Sequence, residues 1–207
     1  VDVTHPAFRI AITDAELAQR TETFVAEARR RERIPEWLHR LKVRVFLRRS
    51  VLAGGLREAG GGFLRGMSTY LFKLGSANLG SWADAMDRRI ADSLPGFAMR
   101  LRLQETAQLL AGGLAPLLRA RPNAPLHFVN IAGGPAMDSL NALILLRQDH
   151  ADALGARPIR IFVLDLESQA PAFGARALDA LQAPGGPLAS LDAHLEHFTY
   201  DWAQAHR

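Results

Sequence analysis

The chain has no cysteine, only two lysines (Lys42 and Lys73) among 25 basic residues, and no apolar run near the roughly 20 residues of a membrane span. Without cysteine, disulfides, thiolate metal sites and thiol catalysis are excluded, and a reducing compartment is compatible. The first residues lack the basic, apolar, small-residue order of a secretory signal, so a cytoplasmic location is expected. With Val1 in place of methionine, the start of translation is expected elsewhere. Positive charge carried almost wholly by arginine is the usage of a GC-rich bacterial genome. Internal repeats and low-complexity segments are also missing. What is present is 207 residues with 48% hydrophobic content, enough for one large domain or a domain with an attached subdomain.

The net charge of +4 is unevenly spread: eight arginines and Lys42 stand between Arg29 and Arg49 against Glu32 and Glu36. Leu38, Leu41 and Val45 recur beneath those charges at helical spacing, so an amphipathic helix with an arginine-rich solvent face is expected. No recognised motif or aromatic platform accompanies the charge, which argues against specific nucleic-acid binding, and no membrane partner is expected.

Residues 1–121 read as a helical subdomain. Thr13 and Glu16 form a capping box ahead of a face made by Leu17, Thr21, Phe24, Val25 and Ala28. Pro35 opens the basic helix, which fades into "AGGLREAGGGF", a glycine-rich joint through Gly54, Gly55, Gly60, Gly61 and Gly62. Further helices are predicted over 63–74, stopped by Gly75, and over 81–93, ended by Pro95–Gly96. A stripe of Leu103, Ala107, Leu110, Leu114 and Leu117 predicts another, broken at Gly112–Gly113 and restarted at Pro116.

The character changes after "RARPNAP". "LHFVNI" (126–131) and "IRIFVLDL" (159–166) are apolar, β-branched runs separated by a helical stretch; a helix over 170–181 and a third strand over 194–200 follow. Apolar runs without alternation, separated by helices, predict a parallel sheet covered on both faces. Residues 122–207 therefore read as the first half of a Rossmann-like, doubly wound α/β sheet.

Three features fall where such a sheet binds its ligand, at the carboxyl ends of the strands. Ala132, Gly133, Gly134, Pro135 and Ala136 make a turn bare enough for a ligand to approach the main chain, aimed by the helix N-terminus behind it. Asp165, with Leu166 and Glu167 beyond it, can accept both hydroxyls of a ribose. Tyr200, Asp201 and Trp202 close the third strand with an acid and an aromatic that suit an adenine ring. The run from Gly133 does not have the G-x-G-x-x-G spacing of dinucleotide sites, and no Walker lysine follows, so a nucleoside without a pyrophosphate fits best.

In their order, these features resemble the class I S-adenosylmethionine-dependent methyltransferases, with "VNIAGGPA" as motif I, "VLDLE" as motif II and "TYDW" as motif III. The likeness covers roughly the last 85 residues and rests on motifs of moderate specificity. Asn130 stands where many members have an acid, and Ala132 and Ala136 replace glycines. "MRLRLQE" (99–105), "VN" and "MDS" around the turn, and "DL" resemble the leucine carboxyl methyltransferase-like branch, with Pro135 and Ala136 as an insertion in its turn. The resemblance implies S-adenosylmethionine as cofactor, held by Asn130, Ala132, Gly133, Gly134, Pro135, Asp138, Asp165, Leu166, Asp201 and Trp202, with Arg100 or Arg102 on its carboxylate. A small-molecule acceptor, with a carboxylate or hydroxyl nucleophile, follows, and residues 1–121 are then expected to be the lid and acceptor pocket, hinged at "GGLREAGGG".

Plainer roles compete for the same residues. The glycines can simply form a tight turn, Asp138 can complement a helix dipole, Asp165 can cap a helix, Trp202 can be a core aromatic, and the two arginines can solvate a helix face. His194 and His197, three apart in a strand, point to opposite faces, so no metal site is expected. No catalytic residue is assigned. The methyltransferase sheet has seven strands and this sequence provides three, so a longer protein is expected. The rival readings are a non-catalytic methyltransferase-like partner, an NAD-dependent oxidoreductase, and a helical regulator using the basic face on nucleic acid.

Overall fold

A computed structural model describes residues 1–32, 35, 50–59 and 66–201. The basic segment beyond Glu32 (Pro35 apart), Gly60 to Gly62 and Trp202 lie outside the described residues. An N-terminal stretch with turns over residues 3–8 leads into α1 (Asp14–Glu32), followed by α2 (Val51–Ala59), α3 (Gly66–Leu74), a 3₁₀ turn (Ser76–Asn78), α4 (Ala85–Asp92) and α5 (Leu94–Ala120). Then come β1 (Leu126–Ile131), α6 (Met137–Asp149), the short α7 (Ala151–Leu154), β2 (Ile159–Asp165), α8 (Gln169–Gln182) and β3 (Ala193–Thr199). No described helix is long and apolar enough to cross a membrane.

Local signals account for the helix starts. Thr13 and Glu16 exchange hydrogen bonds, Thr13 N to Glu16 Oε2 at 2.8 Å and Glu16 N to Thr13 Oγ1 at 3.3 Å, closing the box at the start of α1. Asp84 and Asp87 do the same for α4. Two expected breaks do not occur. Gly54 and Gly55 sit inside α2 instead of a joint, where Gly55 lets α3 approach: a Cβ there would stand 2.6 Å from Ser68 Oγ. α5 runs unbroken for 27 residues through Gly112, Gly113 and Pro116. Pro116 removes the bond to Gly112, but both residues face solvent, so water reaches the freed carbonyl and the helix continues. Pro95 opens α5, where a missing N–H costs nothing.

The three strands pair in parallel in the order β1-β2-β3, with Leu126 beside Ile159 beside Ala193, and Asp165 beside Thr199. Leu126, Phe128, Ile159, Ile161, Val163 and Ala193 point into the main core, against α6, α8 and the inner stripe of α5 (Leu103, Ala107, Ala111, Ala115, Leu118). Core packing is thus continuous across the turn at residue 121. The alanines in that stripe let α6 lie close, which explains why α6 itself is buried on several sides at Leu140, Ala142, Leu143, Ile144 and Leu146.

The opposite face corrects the expectation of a sheet covered on both sides. Among the described residues, Val129, Ile131 and Phe198 remain half or more exposed there. Two successive right-handed crossovers stepping in one direction lay both their helices on one face, and only a reversal of direction brings helices to the other.

Polar side chains tie the parts together. Arg157, 5% exposed, donates to five carbonyls, those of Leu118, Arg121, Ala124, Ala153 and Leu154, at 2.8–3.1 Å, closing the C-terminal ends of α5 and α7. Asn141 accepts from Val3 N, and Gln104 both accepts from and donates to the backbone of Ile10, so two amides strap the N-terminal stretch to α6 and α5.

Candidate functional site

β1 ends in a turn with three left-handed residues, Ala132 (φ 49°), Gly134 (φ 52°) and Ala136 (φ 54°). For each alanine this conformation costs about 1 kcal/mol or more, so the surroundings must hold it. They do so from several sides. Ala132 N donates to Leu164 O at 2.8 Å, extending the ladder, and Ala136 N donates to Gly133 O at 3.0 Å. Asn130 turns its side chain under the turn, accepting from Ser139 Oγ at 2.9 Å and donating to Phe162 O at 3.4 Å. Asn130 is thus an internal brace between β1 and the first turn of α6.

Asp165 meets this turn across 31 residues of sequence. Its Oδ2 accepts from Gly134 N at 3.0 Å and its Oδ1 from Glu167 N at 3.1 Å. Its backbone carbonyl takes Tyr200 N at 3.2 Å and lies 2.9 Å from His197 Nε2, which ties the three strand tips together. Each carboxylate oxygen has a second lone pair that these bonds do not use. Leu166, next in sequence, is 62% exposed beside it. Asp201 is half-buried at the end of the described chain.

Two helices begin at these strand tips, α6 after β1 and α8 after β2, and neither has a side-chain cap. Their first N–H groups and dipole ends face the same region, which favours negative or hydrogen-bond-accepting ligand atoms.

Asp138 sits in the first turn of α6, where the dipole stabilises its charge. Its partner is Lys73 of α3, Nζ to Oδ1 at 3.8 Å, with the lysine side chain 8% exposed. Burial pushes the Lys73 ammonium below its ordinary range, Asp138 pulls it back up, and Arg102 nearby pushes it down again. Arg102 therefore belongs to the electrostatic surroundings of the turn. Arg100 does not: it lies at the far end of α3, against Gly75 and 5.6 Å from the Phe97 ring centre. Burial holds its guanidinium below the ordinary value, and among the described residues its Nε finds no hydrogen-bond partner.

α3 also touches the turn itself. A Cβ on Gly66 would stand 2.6 Å from Ala170 Cβ and 2.9 Å from Gly134 Cα, so backbone packs on backbone there. Sequence reasoning passed over Gly66, Lys73 and Ser139. The signal available for Lys73 was a lone lysine in the apolar run "YLFKL" of a chain whose cations are otherwise almost all arginine.

The expected site residues Asn130, Ala132, Gly133, Gly134, Pro135, Asp165 and Leu166 come together at the tips of β1 and β2, with Asp138 and Arg102 adjacent and Arg100 apart. Among the described residues no group of three His, Asp or Glu side chains is placed to hold a metal, and His194 pairs with Asp192 at 2.9 Å. No family model, curated protein or solved structure matches the chain.

Proposed function

We propose that the chain binds S-adenosylmethionine across the tips of β1, β2 and β3, as half of a doubly wound Rossmann-like sheet, and takes part in methyl transfer to a small-molecule carboxylate or hydroxyl. The observation that carries this reading is the hydrogen bond from Gly134 N to Asp165 Oδ2, which joins the bare turn after β1 to the acid ending β2. A nucleoside laid over that bond meets the free lone pairs of Asp165 with its ribose and the exposed Leu166 with its base, with Asp201 next in line. Its amino-acid end falls toward the uncapped N-terminus of α6.

The cofactor supplies a sulfonium-activated methyl group, which leaves readily. The chain's own task is then to orient donor and acceptor and to exclude water, and a general base is needed only for a neutral nucleophile. A cytoplasmic setting belongs to the same proposal.

One observation favours a second reading. The seat of Gly66 on Gly134 gives the glycine turn a purely structural use, as expected of a methyltransferase-like protein without cofactor. Calorimetric titration with S-adenosylhomocysteine separates the two, with NAD for comparison. Micromolar binding, weakened about ten-fold or more in Asp165→Asn, supports the cofactor reading, since an amide keeps the shape but gives up one charged acceptor. Absence of binding to the folded protein at millimolar ligand, or preference for NAD, overturns it.

A further inference from the structure

α5 is the longest described helix, and one side of it, through Leu103, Ala107, Ala111, Ala115 and Leu118, packs into the main core. The other side faces solvent, where a polar and charged surface is the rule. Instead, residues 106–118 carry no charge over about 20 Å of helix. Leu109 and Leu117 stand out from this side 77% and 63% exposed, more than any other large apolar residue among the described ones. Pro116 between them is exposed as well.

Gly112 and Gly113 occupy the middle of the same side. Each weakens a helix interior relative to alanine, and a Cβ at either would meet nothing within 4 Å, so no contact inside the chain asks for glycine. Bare backbone there lets a neighbouring helix come closer than side chains would permit. A helix that is apolar on both sides is one that is covered on both sides.

The charges that bound this surface say what covers it. Glu105 opens the row Glu105, Leu109, Gly112, Pro116, which shares one helix face, and Arg119 and Arg121 close it. Glu105 and Arg121 are exposed, while Arg119 Nε donates to Asp152 Oδ2 of α7 at 2.7 Å. An acid at one end and bases at the other match a second copy of the same surface turned end for end. We propose that two copies of the chain pair through this side of α5, antiparallel about a two-fold axis at Gly113. That register sets Leu109 of one copy against Leu117 of the other, Gly113 against Gly113 and Glu105 against Arg121. The contact is isologous, so each favourable pair is made twice, whereas a parallel pairing would bring like charges together at both ends. Interfacial water continues to serve the Gly112 carbonyl that Pro116 leaves without its bond.

Sedimentation velocity of the full chain tests this. One helix face is a small interface, so a dissociation constant of about 10–100 µM is expected. Leu109→Glu, at a site open enough to leave the fold intact, should raise it about 100-fold by placing a carboxylate in the centre of the contact. Glu105→Arg and Arg121→Glu should each raise it about ten-fold, and the double variant should restore the dimer, because the pair is then only reversed. The absence of cysteine gives a direct probe of register: under mild oxidation Gly113→Cys should link two copies, whereas Leu109→Cys, which faces Leu117, should not. A wild type that stays monomeric at about 500 µM overturns the proposal, being far above the expected range. So does a dimer indifferent to Leu109→Glu, one that the double variant fails to restore, or equal linking by the two cysteine variants. Dimers broken instead by Ile131→Lys would assign the second copy to the open sheet face. A monomer that floats with phosphatidylcholine vesicles, and loses this in Leu109→Glu, would assign the surface of α5 to lipid. Both results overturn the pairing.

Discussion

The two faces of the sheet come from the same three strands and carry side chains of similar apolarity, yet their fates differ. On one face Ile159, Ile161 and Val163 are wholly buried under helices. On the other, Ile131 is 61% exposed and Phe198 50%, both in register with Leu164. Phe162 of the middle strand has its ring 6.0 Å from Phe198 and 5.7 Å from His127, so the open face has an aromatic row and no cover among the described residues. Apolar character in a strand therefore reports that a face can be buried, while the direction of the crossovers decides which face is.

The largest expected effect tests that difference directly. Ile161→Ala should cost about 3–4 kcal/mol by denaturant titration, because it leaves a cavity in the covered face, while Ile131→Ala should cost less than about 1 kcal/mol. Equal losses would mean that the open face is covered in solution. Arg157→Met should come next, near 3 kcal/mol in thermal unfolding, since the carbonyls that close α5 and α7 lose their donors. Arg157→Lys should recover only part of this, having three donors for five acceptors.

Acid should act first on the smaller apolar cluster of Leu52, Phe72, Leu79 and Ala91. Asp87 is wholly buried; burial pushes its carboxyl up, but hydrogen bonds from Ser50, Leu52 and Asp84 together hold it below the ordinary value. A depressed carboxyl contributes stability that is complete above its unfolded value and is lost as pH falls through the folded one. Between about pH 5 and pH 3, exchange protection in α2 and α4 should therefore fail before that of β2, and Asp87→Asn should flatten this pH dependence. The smallest effect belongs to the open face: Ile131→Lys should leave the melting temperature nearly unchanged while reducing binding of a hydrophobic dye.

Much of the fold was legible because its signals are local. Pro125 and the glycines bound β1, the β-branched run fixes β2 within one residue of its observed end, and Thr13 with Glu16 marks the start of α1. The readings that failed concern residues whose meaning depends on what lies opposite. Gly112, Gly113 and Pro116 look like a break, but on an exposed helix face they are tolerated. Gly54 and Gly55 look like a joint, but Gly55 is the place where α3 crosses α2. At the site, the turn and Asp165 were visible as separate features, whereas their hydrogen bond, the brace at Asn130 and the buried Lys73 were not.

The sequence by itself determined the strand–helix alternation, the small-residue turn after β1 and the acid at the end of β2, because hydrophobic period, turn chemistry and capping act over a few neighbouring residues. Only the tertiary structure decided which sheet face is buried, which helix rests on the glycine turn and which charges meet there. Those outcomes follow from crossover handedness and from distances between residues far apart in the chain, where burial and Coulomb interactions act through space and leave no local pattern.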